Sequence, residues 1–101
     1  MVEIVFEEAG NRCYLAMHGH AGYNPGNDVV CAGVSAIVCA LAGYIANADG
    51  LKISTERYEP GEAEFDVEGD ALQVFEMAYI GLAQIAQKYP QNVQITNFSE
   101  S

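Results

Sequence analysis

Residues 19–38, GHAGYNPGNDVVCAGVSAIV, lie where the sequence changes from a strand pattern to a helix pattern. Before this stretch apolar and polar residues alternate, and after Asp28 an apolar run without charged residues begins. Residues 22–28 between them contain Gly, Asn, Pro and Asp, which favour turns. The stretch therefore predicts a strand, a loop and a helix whose N-cap is Asp28.

Two strands are predicted upstream of the loop. Residues 2–9 and 12–20 both alternate between apolar and polar side chains, which is typical of half-buried strands, and a turn signal separates them. The alternation places His18 and His20 on the face opposite the core. The predicted core positions are Val2, Ile4, Phe6, Cys13, Leu15 and Met17.

Downstream, the patterns predict two helices and three more strands. The helices are expected at 29–47 and 70–89, and the strands at 51–59, 62–68 and 92–98. The order is ββαββαβ, and two helices on one face of a sheet of about five strands make a two-layer α+β sandwich. We expect residues 1–101 to form one domain.

Some side chains in these elements have a predicted environment. The first helix is apolar on every side, so we expect it to be mostly buried, with Cys39 in the core. Residues 29–46 carry no charge, but the lack of flanking Lys or Arg favours a buried helix or a dimer face over a membrane span. In the strand at 51–59, Leu51, Ile53 and Thr55 are expected to share one face.

The charge balance narrows the classes of partner. Fourteen acidic against four basic residues give a formal charge of −10. Such a surface disfavours nucleic acid and anionic membranes, whereas it attracts a basic protein or simply keeps the protein in solution. Three cysteines without a basic, secretory-type start indicate reduced thiols and a cytoplasmic location, and their spacing fits no zinc pattern.

Cys31 would be the third residue of the first helix. Unpaired N–H groups and the positive end of the helix dipole favour an anion there, so the position suits a thiolate and an oxyanion at an attacked carbonyl. Asp28 opposes the thiolate by its charge, caps the helix and is a candidate to orient a histidine. The alternative is that Cys31 is a small buried apolar residue, as most free cysteines are.

A nucleophilic cysteine needs a base within hydrogen-bond reach, and His20 enters the loop that returns to Cys31. The alternatives are that His20 is only a polar strand end, or that His18 is the base. Ser35 shares the helix face of Cys31 and either contacts the site or, as we favour, bonds back to the Cys31 carbonyl. Gly22, Pro25 and Gly26 make the loop adaptable, so it is either a lid over a peptide substrate or a plain connector, and Tyr23 in it contacts either substrate or solvent.

Two short elements resemble the ribosomal-processing cysteine protease family, Prp. They are Gly19-His20-Ala21 and, after the loop, Gly26, Asp28, Val30-Cys31-Ala32 and Val34-Ser35. The resemblance implies a ββαββαβ fold and a cysteine endopeptidase with a dyad of His20 and Cys31. It also implies a homodimer, a mobile loop before the cysteine, and no metal or cofactor.

The substrate of that family is ribosomal protein number twenty-seven of the large subunit. Its N-terminal extension is removed after a segment that ends in aromatic residues, and phage capsid or scaffold proteins with such a segment are cut in some cases. The resemblance therefore implies a precursor with this extension as the partner. Residues 23–25 stand at positions that vary in the family, and no motif identifies the substrate pocket.

Two other functions remain open from the residues alone. One is a non-catalytic acidic module that binds a ribosomal or phage protein, and its activity would survive Cys31→Ala. The other is a transition-metal site of His18, His20 and Cys31, because imidazole and thiolate are good ligands. Metal analysis would test the second.

Overall fold

A computed structural model describes residues 1–24 and 28–100. It contains five strands and two helices in the predicted order ββαββαβ. The strands are β1 (Val2–Ala9), β2 (Arg12–His18), β3 (Lys52–Glu59), β4 (Glu62–Glu68) and β5 (Val93–Glu100). The helices are α1 (Val29–Asn47) and α2 (Leu72–Lys88).

The five strands form one mixed sheet in the order β3-β4-β2-β1-β5. The pairs β1/β2, β2/β4 and β3/β4 are antiparallel, and short turns join the strands of the first and last of these pairs. β1 and β5 are parallel. β2 and β1 separate β4 from β5 in the sheet, so the chain crosses the sheet between β4 and β5, and α2 forms this connection. The predicted two-layer α+β sandwich is confirmed.

Alternate residues of the central strands form the core with the helices. In β2 and β4, and in β1 as far as Phe6, every second side chain is buried, and the residues between them are half-buried or exposed. Because strand side chains alternate between faces, one sheet face carries the apolar layer and the other is open. The predicted core positions are all buried, at 5% exposure or less: Val2, Ile4, Phe6, Cys13, Leu15 and Met17.

The prediction that α1 is mostly buried, with Cys39 in the core, is wrong. α1 buries five residues spaced three or four apart, and Cys39 is exposed. The helix covers only one face of the sheet, so its small Ala and Gly residues on the far side remain uncovered. By length and composition alone α1 could also cross a membrane, a test that core helices pass as well. The five buried residues are Val30, Val34, Val38, Leu41 and Ile45.

β3 also differs from its prediction. Its register shifts between Ile53 and Thr55, so Ile53 pairs with Val67 while Thr55 pairs with Asp66. Paired residues share a face, and Val67 and Asp66 lie on opposite faces of β4. The irregularity therefore separates Ile53 from Thr55, which simple alternation had placed together.

Candidate active site

The start of α1 is organised by Asp28. Its backbone is extended (φ −97°, ψ 102°), and its Oδ1 accepts a hydrogen bond from the Cys31 N–H at 2.9 Å. This is the predicted N-cap on the third helical residue. The hydrogen bond from Cys31 is the main cause that lowers the pKa of Asp28, and N–H groups of Asn24 and Tyr23 act in the same direction.

Asp28 also holds the loop that precedes it. Its Oδ2 accepts hydrogen bonds from the N–H groups of Tyr23, at 2.9 Å, and Asn24, at 3.3 Å. One carboxylate therefore joins the beginning of the loop to the beginning of α1. Both oxygens are bonded to backbone groups, which is a different role from the predicted orientation of a histidine.

Cys31 lies half-buried in the first turn of α1, so its thiol remains partly accessible. Its own N–H is bonded to Asp28, and the Ala32 N–H donates to the Asp28 carbonyl at 3.0 Å. The predicted cap on the Cys31 N–H is therefore confirmed, and in this arrangement neither of these two N–H groups is free for the oxyanion that the helix start is expected to bind. The Cys31 N–H becomes available only when Asp28 releases it.

The other cysteines have different surroundings. Cys13 is buried, and burial raises the pKa of its thiol to about 11, so it is protonated at neutral pH. Cys39 is exposed on α1, two helical turns after Cys31. Of the three thiols, only that of Cys31 lies at a helix start beside a capping carboxylate.

The three predicted loop residues are only partly described. Gly22 and Tyr23 are exposed, and the Tyr23 ring meets the Tyr89 ring edge-on with centroids 5.3 Å apart. Tyr89 follows α2 directly, so the loop also contacts the end of the second helix. Gly26 lies outside the described residues.

His20 lies outside β2, which ends at His18. Gly19 between them has φ +103°, and a Cβ on Gly19 would overlap the carbonyl oxygen of Met1. Only glycine fits this position, which is a physical reason for the Gly-His-Ala element. The positive φ ends the strand, so strand alternation no longer decides where the His20 imidazole points.

The imidazole of His20 lies against the turn between β3 and β4. A Cβ built on Gly61 would be 2.7 Å from Nε2 and 2.8 Å from Cε1 of His20. The Gly19 N–H donates to the Gly61 carbonyl at 2.8 Å. Within residues 1–24 and 28–100, no hydrogen bond joins this imidazole to the Cys31 thiol.

His18 does not share this location. It is exposed, and it lies between Glu3 of β1 and Glu62 of β4 in the sheet register. Met17 beside it points into the core, so His18 points to the open face, away from the helices and Cys31. This argues against His18 as the base.

The metal alternative has no support from side-chain placement. Among the described residues, no three His, Cys, Asp or Glu side chains are grouped to hold a metal ion. The trio of His18, His20 and Cys31 is divided between the open sheet face, the β3–β4 turn and the start of α1.

Ser35 is half-buried one turn after Cys31. The predicted back-bond to the Cys31 carbonyl is not formed in the part of the chain that the structure describes, although Asn47 makes such a bond to the Gly43 carbonyl at 2.8 Å. Ser35 therefore shares the helix face of Cys31 without a bond to it.

Three further residues near the site were not predicted. Gly61 contacts His20, Tyr89 contacts Tyr23, and the Asn92 side chain donates to the Ala21 carbonyl at 3.0 Å. The Glu-Pro-Gly sequence predicts a turn at Gly61, but it does not indicate that this turn contacts His20. Nothing in the sequence indicates the bond of Asn92 across 71 positions.

The fold is similar to that of solved proteases. The essential ribosomal processing protease Prp from S. aureus, in complex with a covalently linked product peptide, has a TM-score of 0.78 and 21% identity, over 96% of this chain and 99% of that one. A complex of that protease with a substrate peptide has a TM-score of 0.73 and 19% identity, with the same coverage.

A protein from Streptococcus mutans, SMU.848, has a TM-score of 0.73 and 20% identity, over 99% of this chain and 96% of that one. Comparison with curated proteins gives no match. The family model of cysteine protease Prp matches residues 1–94. Nearly the whole chain fits this model, so the chain belongs to the cysteine protease Prp family and is a cysteine endopeptidase.

Proposed function

We propose that the chain removes the N-terminal extension of ribosomal protein number twenty-seven of the large subunit, using Cys31 and His20. The observation that carries the proposal is the family match over residues 1–94, which includes both residues. The related S. aureus protease is a ribosomal processing enzyme with substrate and product peptides bound. The acidic chain, at −10, also attracts basic proteins of the ribosome.

The chemistry assigned to the dyad conserves atoms at each step. His20 accepts the thiol proton, and Cys31 Sγ bonds to the scissile carbonyl carbon. The C–N bond then breaks, His20 protonates the departing amine, and the extension remains on Cys31 as a thioester. Water, deprotonated by His20, hydrolyses the thioester and returns the thiol.

The described residues show no hydrogen bond between His20 and Cys31, and we propose that this bond forms when substrate binds. The loop between them is held by Asp28, which also bonds the Cys31 N–H. We propose that substrate replaces the loop N–H groups at Asp28, brings the Cys31 thiol to the imidazole, which stays beside Gly61, and frees the Cys31 N–H for the oxyanion. Such closure on substrate is common where catalytic groups lie on loops.

Two further parts of the proposal concern assembly and location. An apolar groove of about 480 Å³ lies between α1 and α2, with Tyr44 and the 69% exposed Met77 at its edge. We propose that a second copy covers it in a homodimer, which Met77→Glu would dissociate in sedimentation experiments. A cytoplasmic location fits a nucleophile that must stay reduced.

The function is tested with the ribosomal precursor and, separately, with the same protein lacking its extension. Mass spectrometry should show one cut in the precursor and none in the processed form. The matched control for Cys31→Ala is Cys39→Ala, since Cys39 is an exposed thiol on the same helix. Cleavage should vanish only in Cys31→Ala. Binding without cleavage by wild type would favour the acidic interaction module instead, and phage capsid or scaffold proteins would then be tested as partners.

A further inference from the structure

Two distant segments hold the chain immediately before and after His20. On one side, the Gly19 N–H donates to the carbonyl of Gly61 in the β3–β4 turn at 2.8 Å. On the other, the carbonyl of buried Ala21 accepts a hydrogen bond from the Asn92 side chain at 3.0 Å. Backbone bonds fix Asn92 in turn, because its N–H donates to Tyr89 and its carbonyl accepts from Val2.

The β3–β4 turn acts on the imidazole as well as on the backbone. Gly61 has φ +78°, and the place where its Cβ would be is occupied by the His20 ring, 2.7 Å from Nε2. Real Cβ atoms do not approach heavy atoms so closely, so any side chain here must push the ring aside. The ring ends a side chain and can turn, hence the displacement would cost little stability while moving the nitrogen atoms.

From these contacts we propose that Gly61 and Asn92 are positioning residues for His20. Gly61 sets the place of the imidazole, and Asn92 sets the place of the backbone that carries it. The proposal rests on the proposed role of His20 as the base. It extends that role to residues in the β3–β4 turn and in the connection between α2 and β5.

The chain offers a matched control for Gly61. Gly50 has φ +80°, and no atom lies within 4 Å of a Cβ built there. Ala in either position meets the same backbone strain, but only Gly61→Ala contacts His20. Should the alanine variants fold poorly, Gly61→Asn and Gly50→Asn form a second pair, because Asn tolerates positive φ better.

Two measurements test the proposal, namely kcat/KM for the precursor across pH, and the NMR signals of the His18 and His20 imidazoles. We expect Gly61→Ala to lower kcat/KM by about 10- to 100-fold relative to Gly50→Ala, since small misplacements of catalytic groups cost this much. The His20 signals should shift, and those of exposed His18 should not. Equal kcat/KM in the two variants, or unchanged His20 signals in Gly61→Ala, would overturn the role of Gly61.

Asn92 is tested with Asn92→Asp, which keeps the size of the side chain and removes the donor to Ala21. It should lower kcat/KM and shift the His20 signals, and Asn47→Asp, which removes a comparable bond on α1, should do neither. His20 signals that stay in place in Asn92→Asp would overturn its role. If wild type fails to cleave the precursor, the proposed function is wrong. The His20 signals in Gly61→Ala and Asn92→Asp then still show whether these residues position the imidazole.

Discussion

The two helices begin in different ways. α1 begins at the half-exposed Asp28, whose carboxylate bonds the Cys31 N–H and two loop N–H groups. α2 begins at Ala71, which is 1% exposed and makes no side-chain cap bond. The start of α2 is held by packing, whereas the start of α1 is held by polar bonds that reach into the loop after His20. The groups whose rearrangement by substrate we propose therefore lie at the start of α1 and not at that of α2.

The two helices also differ in their third residue. It is Cys31 in α1 and Val74 in α2. We expect Cys31→Ala to abolish cleavage, because it removes the proposed nucleophile, without loss of the fold. Val74→Ala should retain cleavage and lose stability, since Val74 packs against the core. Cleavage rates and thermal unfolding measure both, and a Cys31→Ala variant that still cuts would contradict the assignment.

His20 is expected to have the next largest effect. His20→Ala should reduce kcat/KM by about 10²- to 10⁴-fold, the usual contribution of a general acid–base. His18→Ala is the control, because His18 lies on the open sheet face. Equal losses in the two variants would remove the distinction between the histidines.

An Asp at the N-cap of α2, as in α1, should destabilise the protein. Ala71→Asp would place a carboxylate in the apolar core, at a backbone (φ −130°, ψ 3°) unlike the extended one of Asp28. A polar group buried without partners costs about 1–3 kcal/mol. Chemical denaturation should show a lower free energy of unfolding, and a more stable Ala71→Asp would show that α2 lacks only a cap.

Asp28→Asn separates the two roles of Asp28. The amide oxygen can keep the cap on Cys31, since Asn caps helices as well as Asp does, but the amide nitrogen cannot accept from Tyr23 and Asn24. We expect near-normal thermal stability and a fall in kcat/KM of about 10-fold from the misplaced loop. A variant faster than wild type would mean that the bonds from the loop hold an inactive arrangement.

The smallest expected effect is in the acid dependence of stability. Hydrogen bonds from backbone N–H groups lower the pKa of Asp28 below its ordinary 3.8. The carboxylate therefore stabilises the folded state fully above that pH, and the stabilisation is lost as the pH falls below it. Asp28→Asn should lose less stability than wild type below pH 3.8 in denaturation experiments. Arg12 lowers the pKa of Asp66 as well, but Asp66 is unchanged in Asp28→Asn, so it contributes equally to the acid dependence of both proteins. Parallel stability curves would contradict this role.

The sequence predicted most of the fold because its local signals agree. Strand alternation, turn residues and the Asp28 cap all pointed to the same elements, and α1 has the predicted bounds. It could not reveal how much of α1 a single sheet leaves uncovered, so Cys39 was misplaced. The register shift at Ser54 was also hidden, since nothing local distinguishes it from regular alternation.

At the site, residue type and position along the helix and loop led to the hypothesis of a dyad of Cys31 and His20, and they predicted the cap by Asp28 that the structure shows. It missed Gly61 and Asn92, whose contacts depend on how distant elements meet. The cap of Asp28 on the third helical residue was predicted and is observed, whereas the further bonds of Asp28 to the Tyr23 and Asn24 N–H groups depend on the path of the loop, which local sequence does not show.

Trapping the acyl-enzyme tests the central assignment most directly. A peptide ester copied from the substrate extension would be mixed with wild type and with His20→Ala, quenched in acid, and localised by fragmentation mass spectrometry. We expect a thioester on Cys31, with Cys13 and Cys39 unmodified, and slower formation in His20→Ala. An adduct on Cys39, or cleavage without any adduct on Cys31, would contradict it.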